Sequence, residues 1–301
     1  MNIHYPLLLD GGLSNELEKQ GHDLNHSLWS AKLLDNQPES IVQAHLAYLE
    51  AGAQCIITAS YQASVAGFTE LGYDQSVAKS FIKKSVELAE EARALFLTSH
   101  SNITYPPLIA ASIGPYGAYL ADGSEYVGNY GVSDEVLRNF HLDRMHLLDD
   151  TNADCFACET IPSFQEAKVL ADILQETQKF AWISFSCKDD QHINDGTPIE
   201  TCVELLANHP KIFAIGVNCT APKYISGLVK TIKANIGDKK VIVYPNSGEV
   251  YNAQSKTWQG VSDPGVFAEV SKEWRMLGAD IVGGCCRIGT SHIEKMSKDY
   301  V

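Results

Sequence analysis

Residues 212–244 read IFAIGVNCTAPKYISGLVKTIKANIGDKKVIVY. Ile212–Val217 is a short apolar run rich in β-formers, Pro222–Asn235 is amphipathic, and Val241–Tyr244 is a second apolar run. Short runs without polar alternation are the mark of strands buried on both faces, as parallel strands are. Proline is tolerated in the first helical turn, where its missing N–H would have no partner. The stretch is therefore a strand, a crossover helix and a parallel strand.

The same unit repeats on both sides of it. Strand-like runs occur at Leu7–Leu9, Cys55–Ala59, Leu108–Ile113, Cys155–Cys158, Ala181–Phe185, Ile212–Val217, Val241–Tyr244 and Ile281–Val282. Amphipathic segments follow at Pro38–Gly52, Ser76–Leu97, Ser133–Thr151, Ser163–Thr177, Thr197–Asn208, Pro222–Asn235, Pro264–Leu277 and from Thr290, most opening on Ser, Thr or Pro. Eight strands alternating with eight helices in 301 residues predict an α/β chain folded as one (β/α)8 barrel. An open doubly wound sheet is the rival, but no GxGxxG follows the first strand, and Gly11-Gly12 is too short for that fingerprint. No Gly/Ser-rich or Pro-rich linker interrupts the chain, so residues 1–301 are expected to form a single domain. Two long βα loops, Leu13–Gln37 and Pro115–Val132, fall at the end of the barrel where active sites sit.

Composition narrows the partners. A hydrophobic content of 45% supports a large core. A net charge of −14 argues against nucleic acid or an anionic membrane surface. No secretory signal and no apolar run of about 20 residues is visible, so a cytoplasmic protein is expected. In that compartment the eight cysteines are expected to be buried thiols, metal ligands or catalytic groups rather than disulfides.

Polar and sulfur groups gather where the strands end: Asp10-Gly11-Gly12, Ser60-Tyr61, Gly114-Pro115, Glu159-Thr160, Cys187, Asn218-Cys219, Asn246-Ser247-Gly248 and Gly283-Gly284-Cys285-Cys286. Strands six and eight are next-but-one neighbours, so Cys219, Cys285 and Cys286 are able to converge. Three thiolates at about 2.3 Å make a soft tetrahedral zinc site with one open position. The Gly283-Gly284 pair is expected to let the backbone turn so that both vicinal sulfurs face one ion. Buried structural cysteines are the competing reading. Zinc held by histidine has little support, because the ten histidines form no HxH or HExxH.

The strings DGGLSNELE (Asp10–Glu18), SLWSAKLL (Ser27–Leu34), GPYGAYLADGSEY (Gly114–Tyr126), CETIP (Cys158–Pro162), GVNC (Gly216–Cys219), YPNSGE (Tyr244–Glu249) and GGCCR (Gly283–Arg287) resemble the homocysteine S-methyltransferase family over nearly the whole chain. GPYGAYLADGSEY is most similar to the branch that uses S-methylmethionine. The resemblance implies a (β/α)8 barrel with Zn2+ held by Cys219, Cys285 and Cys286, at the ends of strands six and eight. It also implies a homocysteine thiol at the fourth zinc position and a methyl group arriving from a sulfonium donor. Asp10 and Glu159 match carboxylates that hold the amino group of homocysteine; turn-capping and salt-bridge roles are their alternatives.

Gly11, Gly12 and Ser60 are candidates for the substrate carboxylate. Trp29 and Tyr61 rank first among aromatic groups for the donor, ahead of Tyr116, Tyr119, Tyr126 and Tyr130, because aromatic faces attract cations. Asn218 and Asn246 are expected to contact the substrate, to support the groups that do, or to cap turns, Arg287 is expected to anchor its loop, and Cys187 is an outlying thiol at a strand end. S-adenosylmethionine and betaine remain alternative donors. A barrel metal hydrolase would need a His/Asp-rich site, and a non-catalytic zinc protein would need a fourth protein ligand.

Overall fold

The computed structural model describes residues 3–24, 33–248, 250–252, 257–259 and 262–300. Its main sheet holds eight parallel strands: β1 (Leu7–Leu8), β2 (Cys55–Ile57), β3 (Leu108–Ile113), β4 (Cys155–Ile161), β5 (Ala181–Phe185), β6 (Ile212–Asn218), β7 (Lys240–Tyr244) and β10 (Ile281–Val282). The order β1-β10-β7-β6-β5-β4-β3-β2 is sequential around a ring. The ring closes between first and second strands, where Leu9 pairs with Cys55 and the Gln54 N–H donates to the Leu8 carbonyl at 2.8 Å. The expected (β/α)8 barrel is the observed fold.

Side chains alternate across each strand. Leu8, Ile56, Ile109, Phe156 and Ile183 face the helices, whereas Leu7, Leu9, Cys55, Ala110, Cys155, Ala157, Trp182, Ala214, Ile242, Tyr244 and Ile281 pack together inside. Small residues on β3, β4 and β6 leave room for Trp182, whose indole N–H donates to the Tyr244 hydroxyl at 2.9 Å. The interior is thus filled at its base and becomes polar only toward the C-terminal end, through Ser112, Glu159, Ser184 and Asn218.

The main helices are α3 (Pro38–Glu50), α5 (Gln75–Ser99), α7 (Asp134–Asp149), α8 (Phe164–Leu174), α9 (Ile199–Leu206), α10 (Pro222–Asn235), α11 (Pro264–Met276) and α12 (Thr290–Ser297). Proline opens α3, α10 and α11, while Ser133, Ser163 and Asp263 accept the N–H three residues on, at the starts of α7, α8 and α11. No described helix is long and apolar enough to cross a membrane.

Strict alternation is broken by extra elements. The loop expected at Leu13–Gln37 contains α1 (Leu13–Lys19) and α2 (Leu33–Asn36), and that at Pro115–Val132 contains α6 (Tyr116–Leu120) and a 3₁₀ turn, Ser124–Tyr126. A short α4 (Val65–Glu70) follows β2, and an antiparallel hairpin of β8 (Val250–Asn252) with β9 (Thr257–Gln259) follows β7. These pieces are too short to show a clear 3.6- or 2-residue period in sequence.

Candidate metal centre

Cys219 follows the last residue of β6, and Cys285-Cys286 lie just beyond β10; their three sulfurs all lie within 4.8 Å of one another. Cys219 Sγ and Cys286 Sγ are 3.5 Å apart. Four ligands at about 2.3 Å around a tetrahedral ion stand about 3.8 Å from each other, close to the Cys219–Cys286 separation, so the trio is of the right size to hold a zinc ion.

The backbone brings the sulfurs together. The Cys219 N–H donates to the Tyr244 carbonyl (3.2 Å) and the Cys285 N–H to the Pro245 carbonyl (2.8 Å), so the end of β7 spaces the two arms. Cys219 and Arg287 adopt left-handed backbone, with φ of 47° and 66°. Gly283 and Gly284 do not; the expectation of a glycine-permitted turn is corrected to one of close approach. A Cβ on Gly284 would lie 2.1 Å from Ile288 Cγ2, and one on Gly283 2.5 Å from Leu9 Cβ. Sulfur hydrogen bonds from Cys285 and Cys286 hold the Cys219 thiol well below the ordinary range, while both partners are pushed up by the charge they would share. A dication held between the three sulfurs would favour the deprotonated form of each.

A cavity opens beside the sulfurs, lined by Gly11, Gly12, Ile57, Thr58, Tyr61, Glu125, Tyr126, Glu159, Thr160 and Tyr244 among others. Glu159 faces inward in step with Cys155 and Ala157, and the register of β4 against β5 shifts around it, between Cys158 and Ile161. Its Oε1 accepts from Ser112 Oγ at 2.5 Å, and burial pushes its carboxyl up to about 7, against hydrogen bonds from Ser112 and Tyr244. Next to it Thr160 has φ of +60°, a costly conformation for a β-branched residue. Asn218 holds it there. Its Oδ1 accepts from the Thr160 N–H (2.6 Å), and its Nδ2 donates to Thr160 Oγ1 (2.7 Å).

The other expected site residues separate into groups. Tyr61 lines the cavity, as do Gly11 and Gly12. The Gly12 N–H donates to the Ile288 carbonyl at 2.9 Å, so it is already engaged. Asp10 is 1% exposed behind this wall; its Oδ2 accepts from the Ile57 N–H (2.8 Å), and its pKa is raised by burial and further by Glu159. Ser60 donates to the Ser112 carbonyl (2.8 Å), joining β2 and β3 from beneath the cavity wall. Asn246 accepts from the Gly248 N–H (3.0 Å), an Asx turn off the cavity. Trp29 lies outside the described residues.

Tyr116, Tyr119 and Tyr130 pack as a loop cluster with Phe140, with Tyr130 donating to Glu166 at 3.0 Å. Arg287 lies 3.9 Å from Glu18, and Cys187 is buried apart from the sulfur trio. Sequence reasoning missed Glu125 and ranked Tyr126 low. Tyr126 is 46% exposed as a residue, yet its hydroxyl reaches to 3.3 Å from Cys219 Sγ. Among the described residues no His- or carboxylate-based metal cluster exists.

The homocysteine S-methyltransferase family profile matches residues 7–300. This chain belongs to the homocysteine S-methyltransferase family. It is 48% identical over 297 residues to the homocysteine S-methyltransferase YbgG of Bacillus subtilis, covering 97% of this chain and 94% of that one. It is 46% identical over 303 residues to homocysteine S-methyltransferase 2 of Zea mays, covering 97% and 89%. The solved metallated form of the Escherichia coli homocysteine methyltransferase MmuM superposes with a TM-score of 0.88 at 42% identity, covering 97% of this chain and 96% of that one. The family resemblance read from GVNC and GGCCR is thereby borne out.

Proposed function

We propose that this protein is a cytoplasmic zinc-dependent methyltransferase that moves a methyl group from S-methylmethionine to the thiol of homocysteine, giving methionine. The whole chain, residues 1–301, would be one homocysteine-binding domain acting on small molecules, without nucleic acid or membrane. The observation that carries the reading is the meeting of Cys219, Cys285 and Cys286 at the rim of a cavity. A zinc ion held by these three would supply Lewis acidity, keeping a substrate thiol ionised at neutral pH. Glu159, with Asp10 behind it, is suited to the substrate ammonium. Asn218 keeps the β4 bulge in place, and the Gly11-Gly12 segment walls the cavity against Cys285. Tyr61 and Tyr126 offer aromatic faces to an onium methyl donor. Neutralisation of thiolate by sulfonium is favoured in a site that sheds water and aligns both groups.

The test is metal analysis joined to a donor competition with S-methylmethionine, S-adenosylmethionine and betaine. One zinc per chain is expected, with S-methylmethionine preferred, and Cys285→Ser losing both metal and turnover. Full turnover by metal-free protein would reject the reading.

A further inference from the structure

We infer that Glu125 reads the positive charge of the methyl donor, making the subsite beside Cys219 selective for a sulfonium over a neutral thioether. This deepens the proposed function and rests on it. Glu125 is 8% exposed and lines the cavity, and its Oε2 is buried without a hydrogen-bond partner in the described structure. Burying a carboxylate oxygen unpaired is costly unless a cation arrives to meet it. Among the described residues no Lys, Arg or His lines the cavity, so the positive group suited to this oxygen is one on the ligand.

The loop holds Glu125 in place. Asp122 Oδ1 accepts from the Ser124 N–H (3.0 Å), Gly123 has φ of +89°, and Ser186 Oγ donates to the Glu125 carbonyl (3.3 Å). Gly117 packs so closely that a Cβ there would lie 2.5 Å from Glu125 N.

The two substrates bring three cationic groups, an ammonium on each and the donor's sulfonium, and two carboxylates face the cavity that receives them. Glu159 sits deep, bound to Ser112 on the barrel wall, where an ammonium is suited. Glu125 enters from the loop above, close enough to Cys219 and Tyr61 to act on both electrostatically. The methyl group must change sulfurs near the thiol trio, so the charge beside Glu125 is the sulfonium. In the transfer the acceptor sulfur's lone pair forms the new S–C bond. The old C–S pair stays on the donor sulfur, which becomes a neutral thioether. Glu125 gains and loses nothing covalently. Its attraction is strongest before reaction and fades as the charge is quenched, so it belongs in donor binding rather than in kcat.

The experiment compares wild type, Glu125→Gln and Glu125→Asp as zinc-loaded enzymes, with S-methylmethionine and its uncharged carbon isostere, 2-amino-5-methylhexanoate. Glu125→Gln should raise KM for S-methylmethionine by about 10–100-fold, the worth of a contact to a charged group. The isostere's inhibition constant, KM for homocysteine and kcat should each stay within about threefold. Glu125→Asp should fall between. Calorimetric titration with S-methylmethionine alone should show the same loss of affinity, and matching thermal melts would establish folding. Equal weakening of sulfonium and isostere, an unchanged donor KM, or a raised homocysteine KM would overturn the inference. If Glu125→Gln does not fold, an unaltered donor affinity in Glu125→Asp would do so. Absence of methyl transfer by the wild type would instead count against the proposed function.

Discussion

Glu159 shows how one side chain acquires a role that its residue type only suggests. A surface glutamate ionises near 4.5, whereas this one, buried and held by Ser112 and Tyr244, does so at about 7. Its charge is therefore present above about pH 7 and lost below, whereas a carboxylate stabilised by a cation would keep its charge to lower pH than an ordinary one. If it holds the substrate ammonium, KM for homocysteine should fall as pH rises through 7. Glu159→Gln should raise that KM by about 10–100-fold and abolish this limb of the profile. Steady-state kinetics between pH 6 and 8 checks both, and an unchanged profile in the variant would exclude Glu159 from amine binding. Cys219, Cys285, Cys286 and Glu159 were legible as strand-end residues. Glu125 was not, because two acidic residues in DGSEY look alike in sequence. Only the 3₁₀ turn turns one of them inward while Asp122 caps that turn.

At the scale of elements, the centre depends on β4 and β6 being joined at their upper ends. The Asn218 side chain on β6 holds Thr160 of β4 in its left-handed conformation through two hydrogen bonds, and the next residue is Cys219. Asn218→Ala would leave the Thr160 N–H unpaired and remove the bond between its hydroxyl and β6, and should cost about 2–4 kcal/mol of stability. It should also weaken zinc binding, since the segment bearing Cys219 loses its brace. Urea denaturation and competitive chelator titration measure the two effects; a stable variant with wild-type metal affinity would show that the brace is dispensable. Strands and helices were read correctly wherever they ran long enough to carry a period. The β4 bulge, α1, α4, α6 and the β8–β9 hairpin were not, being local departures dictated by neighbours rather than by their own composition.

For the whole molecule, burial of ionisable groups couples global stability to pH. His45 on α3 is fully buried with neither ring nitrogen hydrogen-bonded, and its pKa is lowered from 6.5 to about 4. The unfolded chain takes up this proton near 6.5 and the folded chain only near 4, so stability is present above 6.5 and lost as pH falls toward 4. Between pH 7 and 5 the loss is about 2 kcal/mol. His141, beside Arg144 and Glu166, is lowered in the same direction, to about 4. Glu159 acts oppositely, gaining stability as pH falls below 7. His45→Leu isolates one contribution. Its stability relative to wild type should improve by about 2 kcal/mol on going from pH 7 to 5 in urea denaturation, and parallel curves would refute the assignment.

The linear chain was enough to determine the barrel and which three sulfurs meet at its rim. Strand and helix periods are local properties, and GVNC and GGCCR bring their cysteines to the ends of strands whose ring neighbourhood follows from their order. Tertiary structure alone decided which polar groups open onto the cavity and which serve the wall. Ser60 donates to the Ser112 carbonyl, Asn218 braces Thr160 and Asn246 closes a turn, while Asp10 binds the Ile57 N–H with one oxygen and leaves the other without a partner, distinctions that residue type alone does not carry. A side chain's partners depend on what packs against it from distant segments, and that information exists only once the ring has closed.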